Sequence, residues 1–305
     1  MERYVVHKGV HCQVFEQGWR VKQWQSPETG QAEFMAWKRR IYVPLGDWDD
    51  PDLKAAPPID QADTLEEQER LERQRLLGLE RSAARAKRTC RLKIKAAGVS
   101  SLLTCTYREN MTDFDRVRRD WAAMLRKLRR VIPGFRAVYA FEQQDRKAWH
   151  VHAAIDKLPV HLDIPGEGRV RSWDYLRRMW RSIVGRDNGN IDVDGHRKTR
   201  HGLPGKYRAS ESLAKLAGYV SKYLTKDHAS GVPGRNKWGS TQGIEVSKPV
   251  VFDMPEMPLA ELVGVAFEVP DGHRIVRHRI GQFGKFWVLY TEPGESVVPD
   301  AAAVA

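Results

Sequence analysis

The sequence predicts an α+β domain: an antiparallel sheet of the ferredoxin-like, split β-α-β kind, with helices on one face and the other face open. Three observations predict it. Between about residues 99 and 193, short runs rich in apolar and β-branched residues alternate with two stretches of helical periodicity. Their order is β-α-β-β-α-β. The third strand in that order sets Trp149, Val151, Ala153 and Ile155 on one side, leaving His150 and His152 on the other.

Each element has its own reason. Residues 101–107 are β-branched and apolar, as a strand requires. Thr112 or Asp113 can cap the following helix, where Phe114, Val117, Trp121, Leu125 and Leu128 recur every three or four residues until Pro133-Gly134 stops it. Residues 137–142 and 149–155 form two strands around the polar loop Gln143-Gln144-Asp145-Arg146-Lys147, a hairpin. Ser172 caps a second helix with Trp173, Leu176, Trp180 and Ile183 inward, and residues 190–193 supply a fourth strand. In this topology the first and third strands are central, so the histidine strand lies mid-sheet. A third helix from Ser210 carries the stripe Leu213, Leu216, Ala217, Val220 and Leu224, with Tyr219 and Tyr223 one turn apart beside it.

Four segments follow from these shifts in pattern. Residues 1–60 form a β-rich segment of short strands and a Pro/Asp-rich linker, and residues 61–98 form a charged helical arm. Residues 99–245 hold the catalytic features, and residues 246–305 form a β-rich tail with a hairpin around Phe286 to Tyr290.

The chain of 305 residues has 51 Lys and Arg against 39 Asp and Glu, a net charge of +12, which favours a polyanionic partner. At 41% hydrophobic it can bury a core. Cys12, Cys90 and Cys105 are scattered and form no C-x-x-C, which argues against a disulfide framework or zinc ribbon and fits a reducing cytoplasm. The first residues lack the apolar run of a signal peptide, and no segment approaches transmembrane length, so no membrane partner is expected.

Two imidazoles on one strand face can hold a metal ion. Tyr219 and Tyr223 are each followed three residues on by a cation, Lys222 and Lys226. A metal pair with paired phenols suggests phosphodiester chemistry. The bland readings are a half-exposed polar pair and one aromatic edge of a core.

In their order these residues resemble the rolling-circle replication initiators of the HUH endonuclease superfamily, of the two-tyrosine phage and plasmid type. The resemblance covers about residues 80–245. Its first motif is similar to Leu103-Thr104-Cys105-Thr106-Tyr107-Arg108-Glu109-Asn110, its second to His150-Val151-His152, and its third to Tyr219 through Lys226. The segment from Gly234 to Ser240 also looks familiar.

The resemblance implies that single-stranded origin DNA is nicked and rejoined through a 5′-phosphotyrosine, with Mg2+ or Mn2+ on His150, His152 and a third ligand. Glu142 is the carboxylate at about the right distance, although hairpin register decides between it and Gln144, with Asp145 also near. Lys222 and Lys226 would favour a phenolate or contact phosphate. Among the basic clusters, Arg81, Arg85, Lys87, Arg88 and Arg91 of the arm and Arg197, Lys198, Arg200, Lys206 and Arg208 of a later loop are candidate DNA contacts. The alternative for them is a solvated face. Trp238 either stacks a base or is buried.

No G-x-x-x-x-G-K-[ST] occurs, so a host helicase and DNA polymerase are expected partners. Two rivals remain. A relaxase or HUH-type transposase would share the chemistry, though relaxases carry a third histidine and an early tyrosine. A non-catalytic DNA-binding regulator would need neither the histidines nor the tyrosines.

Overall fold

The computed structural model describes residues 3–7, 10–45, 65–193, 212–226, 236–267, 272–281 and 285–294. It divides into two units, one drawn from Met1–Gln25, Gly30–Gly78 and Ser247–Ala305 and the other from Ser26–Thr29 and Leu79–Val246. The protein is mixed α+β with antiparallel sheets. No described helix is long and apolar enough to cross a membrane. The three cysteines are free and buried.

The chain begins with β1 (Arg3–His7), β2 (Val10–Gln25) and β3 (Ala32–Pro44), which are longer than the short strands expected from the sequence. The reason is Gly18. It reads as a turn residue, but here it takes φ +69° inside β2, where the β2–β3 register shifts between Glu16 and Trp19, so it is a bulge and the strand runs on. Its N–H donates to Glu256 Oε2 at 2.8 Å. Then α1 (Leu65–Ala97) runs for 33 residues.

The second unit holds β4 (Ser101–Tyr107), α2 (Phe114–Val131), β5 (Ala137–Gln143), β6 (Trp149–Ile155), β7 (His161–Ile164), β8 (Gly168–Arg171), α3 (Ser172–Val184), β9 (Gly189–Val193), α4 (Leu213–Lys226) and β10 (Trp238–Ser240). Asp113 is the α2 cap, its Oδ1 accepting the Arg116 N–H at 3.0 Å. Ser172 is not a cap. It is the first residue of α3, and its hydroxyl donates to the Pro159 carbonyl, while Arg171 holds the cap position without a side-chain bond. The helix expected from Ser210 is described from Leu213, with Ser212 Oγ accepting the Lys215 N–H. The hairpin β7–β8 had no sequence signal strong enough to be read.

The sheet order is β10-β5-β6-β4-β9, all antiparallel, which puts the first and third strands of the β-α-β-β-α-β series in the middle. One face buries Leu103, Cys105, Val151, Ala153 and Ile155 under Val117, Trp121 and Leu128 of α2 and Leu176 and Trp180 of α3.

The opposite face, expected to be open, is covered. Val138, Ala140 and Ala154 lie against Cys90, Ile94 and Ala97 of α1 and against Leu216, Ala217, Val220 and Tyr223 of α4. Those three apolar side chains would otherwise meet water, and α1 and α4 both bring an apolar stripe to them. Helices therefore lie on both faces of this sheet.

The chain closes with β11 (Val250–Met254), α5 (Leu259–Ala266), β12 (His273–Ile280) and β13 (Phe286–Pro293). The hairpin read in the tail is β12–β13, and it joins the first segment: the order is β1-β2-β3-β13-β12, with β11 on β2. Trp19, Val21, Phe34, Ala36, Trp287 and Leu289 bury against Leu262 of α5.

A Cβ at Gly18 would lie 2.5 Å from the Met254 carbonyl oxygen, in a conformation that L side chains disfavour. Gly18→Ala should therefore lower the stability of this unit by about 1–3 kcal/mol, read as a lower unfolding temperature for one of two calorimetric transitions. An unchanged thermogram would mean the bulge is not constrained.

Candidate active site

Strand register assembles the candidate site. Across the sheet, Trp238 pairs with Ala140, Ala140 with His152, His152 with Thr104 and Thr104 with Asp192, so these five side chains share a rung and a face. One rung further along the face, Glu142 pairs with His150. Gln144 and Asp145 lie past the end of β5, in the turn to β6. Of the three candidate third ligands, Glu142 is the one that register brings to the histidines.

Both nitrogens of the His152 ring are engaged. Nε2 lies 2.8 Å from Glu142 Oε2 and Nδ1 lies 3.2 Å from Thr104 Oγ1. The threonine hydroxyl can donate or accept, so it matches either tautomer of the ring. When Nδ1 carries the proton and Thr104 accepts it, Nε2 offers a lone pair beside a carboxylate. Thr104 went unassigned in the sequence because pairing between β4 and β6 is what gives it a role.

His150 is different. It is 9% exposed, and its Nε2 is buried with no hydrogen-bond partner. Burial lowers its pKa to about 4, with His152 and Arg146 adding to the shift and Glu142 opposing it. It is thus a neutral imidazole with an orphaned ring nitrogen, the state a metal ligand needs. Among the described residues no three His, Cys, Asp or Glu side chains are grouped as a finished metal cage. His152 and Glu142 are bonded to each other instead. The donor set of two imidazoles and a carboxylate fits a divalent ion, with the Glu142–His152 bond exchanged for coordination.

The two tyrosines meet this cluster unequally. Tyr223 stacks on the His152 ring, with centroids 4.4 Å apart and planes 13° from parallel. Tyr219 meets His152 edge-on at 6.1 Å and Tyr223 edge-on at 5.5 Å. Tyr219 is 39% exposed, whereas Tyr223 is 7% exposed and belongs to the core beneath α4. Burial, helped by hydrogen bonding to Tyr219 and by the Glu142 charge, pushes the Tyr223 phenol well above its usual range. Lys222 Nζ sits 4.1 Å from the Tyr219 ring centre and 4.8 Å from that of Tyr223. Lys226 is the last residue of α4, and its side chain lies outside the described set.

The remaining candidates scatter. Arg81 and Arg85 are exposed on α1, while Lys87, Arg88 and Arg91 are half-buried and make interactions within the protein. Beyond them the basic run turns inward: Lys93 bonds Ser240 Oγ at 2.9 Å and Lys95 is fully buried. The last turns of α1 are a cover for the sheet as well as a basic helix. Trp238 is half-buried on the histidine face. Arg197, Lys198, Arg200, Lys206 and Arg208 lie outside the described residues.

The family model for replication-associated protein ORF2/gene-2 protein matches residues 100–228, which run from just before β4 to just past α4 and contain both histidines and both tyrosines. That match supports a replication initiator family and is consistent with a nicking endonuclease. No curated protein and no solved structure matches the chain.

The His150 shift has a sign that can be checked. Above pH 6.5 the imidazole is neutral whether folded or unfolded, and below that the unfolded state takes up a proton that the folded state resists until about pH 4. Stability should fall by up to about 3 kcal/mol over that window. Urea midpoints at pH 7 and 4.5 would show it, and His150→Gln should flatten the change. Equal slopes for both proteins would remove His150 as the cause.

Proposed function

We propose that the chain initiates DNA replication by the rolling-circle route, as an HUH endonuclease on a ferredoxin-like sheet that nicks and rejoins single-stranded origin DNA. One observation carries the reading: a neutral His150, the His152–Glu142 pair and two tyrosines with a shared lysine converge on one face of one sheet. A non-catalytic DNA-binding protein would have no use for an orphaned buried imidazole beside a carboxylate and a phenol.

The chemistry follows from the groups. His150, His152 and Glu142 would hold Mg2+ or Mn2+, which supplies Lewis-acid relief of charge on the phosphate oxygens when bound. A tyrosine Oη attacks phosphorus, and the bond to the 3′ oxygen breaks. The phenol loses a proton and the departing oxygen gains one. The products are a 5′-phosphotyrosine and a free 3′-hydroxyl, so the bond energy is kept for rejoining and a host polymerase can extend. Lys222, against both rings, favours negative charge on either phenol. Exposure assigns the opening attack to Tyr219. Tyr223, buried and stacked on His152, acts once α4 shifts it toward the phosphate, and a host helicase supplies the unwinding.

The deciding test is incubation with labelled single-stranded oligonucleotides of randomised sequence and Mg2+ or Mn2+, followed by a denaturing gel for protein joined to DNA. A joined species should form, and His150→Ala/His152→Ala should abolish it while DNA binding persists. Tyr219→Phe should lose most first cleavage, Tyr223→Phe should keep it but fail in release of rejoined circles, and the double variant should be inactive. No joined species with any oligonucleotide would end the reading, and equal losses in the two single variants would end the assigned order.

Thr104 gives a second test. Thr104→Val removes the acceptor that holds His152 Nδ1–H and should weaken Mn2+ binding by about 10-fold or more, whereas Thr104→Ser should preserve it. Calorimetric titration with Mn2+ reads this without DNA. Equal affinities for Val and Ser would show that Thr104 does not orient the ring.

A further inference from the structure

The catalytic reading leaves one strongly basic element unused. β12 carries His273, Arg274, Arg277, His278 and Arg279, with no acid between Gly272 and Gly281. It ends the strand order of its sheet, so its outer backbone edge is unpaired among the described strands. Charge on an edge strand commonly serves to discourage edge-to-edge pairing, and any scatter of charge does that.

The arginines of β12 are not scattered. By simple alternation, Arg274 would point away from the face shared by Arg277 and Arg279. The β12–β13 register shifts between Ile275 and Arg277, so Arg274 pairs with Glu292, Arg277 with Tyr290 and Arg279 with Val288. Those partners are alternate residues of β13, and all three arginines therefore share one face. The bulge turns an irregular spacing into a row with a step of roughly 6.5 Å, two residues of strand rise.

Arg274 is anchored by two bonds to Glu292 Oε1, at 3.0 and 2.9 Å. The Arg277 guanidinium lies 5.9 Å from the Tyr290 ring centre. Arg277 and Arg279 are exposed, and no described carboxylate pairs with either.

We infer that the β12 edge binds the phosphate backbone of duplex DNA flanking the strand to be cut. This rests on DNA being the partner, as proposed above. A preorganised row of guanidinium groups at a fixed step suits a polyanion whose phosphates also recur at a fixed step, and the duplex is the DNA form with that regularity. A flexible single strand would first have to be ordered to match it. The sheet built from both ends of the chain thereby gains a task distinct from cleavage: it holds the helix beside the nick.

Sequence-independent binding is enough for the test, so no origin is needed. Full-length chain and Arg277→Gln/Arg279→Gln are titrated with a random-sequence duplex and a random single strand over a series of salt concentrations. On the duplex, the slope of log K against log salt should shrink by about 1.8 in the variant, about 0.9 for each lost contact. The single-strand slope should stay unchanged, and Arg277→Lys/Arg279→Lys should keep the duplex slope. If the double Gln variant folds poorly, Arg279→Gln alone reads half the change. An unaltered duplex slope overturns the inference, as does a fall confined to single strands. Cleavage of single strands by the Gln variant should match wild type. Absence of cleavage by the wild-type chain would count against the proposed function while leaving the slope measurement a valid test of β12.

Discussion

The antiparallel register between β5 and β6 is the constraint on which the rest of the site depends. It sets Glu142 opposite His150 and Ala140 opposite His152, and the β4–β6 register adds Thr104 to the same rung. Side chains alternate with a period of two, so a slip by one residue would drive both histidines into the core under α2 and α3 and bring Val151 to the other face. That core is the safeguard. Trp149, Val151, Ala153 and Ile155 all belong to it, and exposing them would forfeit roughly 1.5–3 kcal/mol for each large side chain. Packing on one face of β6 thus fixes the chemistry on the other.

The cover over the histidine face changes the character of the site. His150 and His152 are buried polar groups among apolar neighbours from α1 and α4, so each ring nitrogen matters. His152 satisfies both of its nitrogens, and His150 leaves one without a partner. A low-dielectric setting also strengthens the pull between Glu142 and any cation that joins it. The same burial separates the two tyrosines: identical side chains one helical turn apart differ in exposure because α4 turns its apolar stripe, with Tyr223 at its margin, toward the sheet.

Much of the central unit was legible in the sequence because its signals are local. Alternation in 149–155 gave the face of the histidines, helical periodicity gave α2 and α3, and the order of elements gave the sheet. What could not be read depends on contacts distant in sequence. The apolar stripe formed by Cys90, Ile94 and Ala97 is visible in hindsight, but a run of seven basic residues around it masks the pattern. Gly18 has the signature of a turn and acts as a bulge because β3 pairs with β2 on both sides of it. Thr104 is one threonine in a strand until β6 is laid beside it. For the tyrosines, spacing showed that they are neighbours, and only the packing of α4 shows which is the outer one.

The pairing of β13 with β3 has a consequence for how the chain is made. β3 ends at Pro44 and β13 begins at Phe286, so the strand that completes the first sheet leaves the ribosome after nearly everything else. The central unit has all of its strands and helices in hand well before then, and its contacts are made among segments closer together in sequence. It can take shape while β3 still waits with a bare edge, a state in which long strands are prone to pair with the wrong chain. Arg39 and Arg40 near the far end of β3 are suited to keep that edge soluble during the wait. Closure of the sheet is then a late event in biogenesis, and a chain truncated before Phe286 would leave the first sheet unfinished while the residues of the candidate active site were all present.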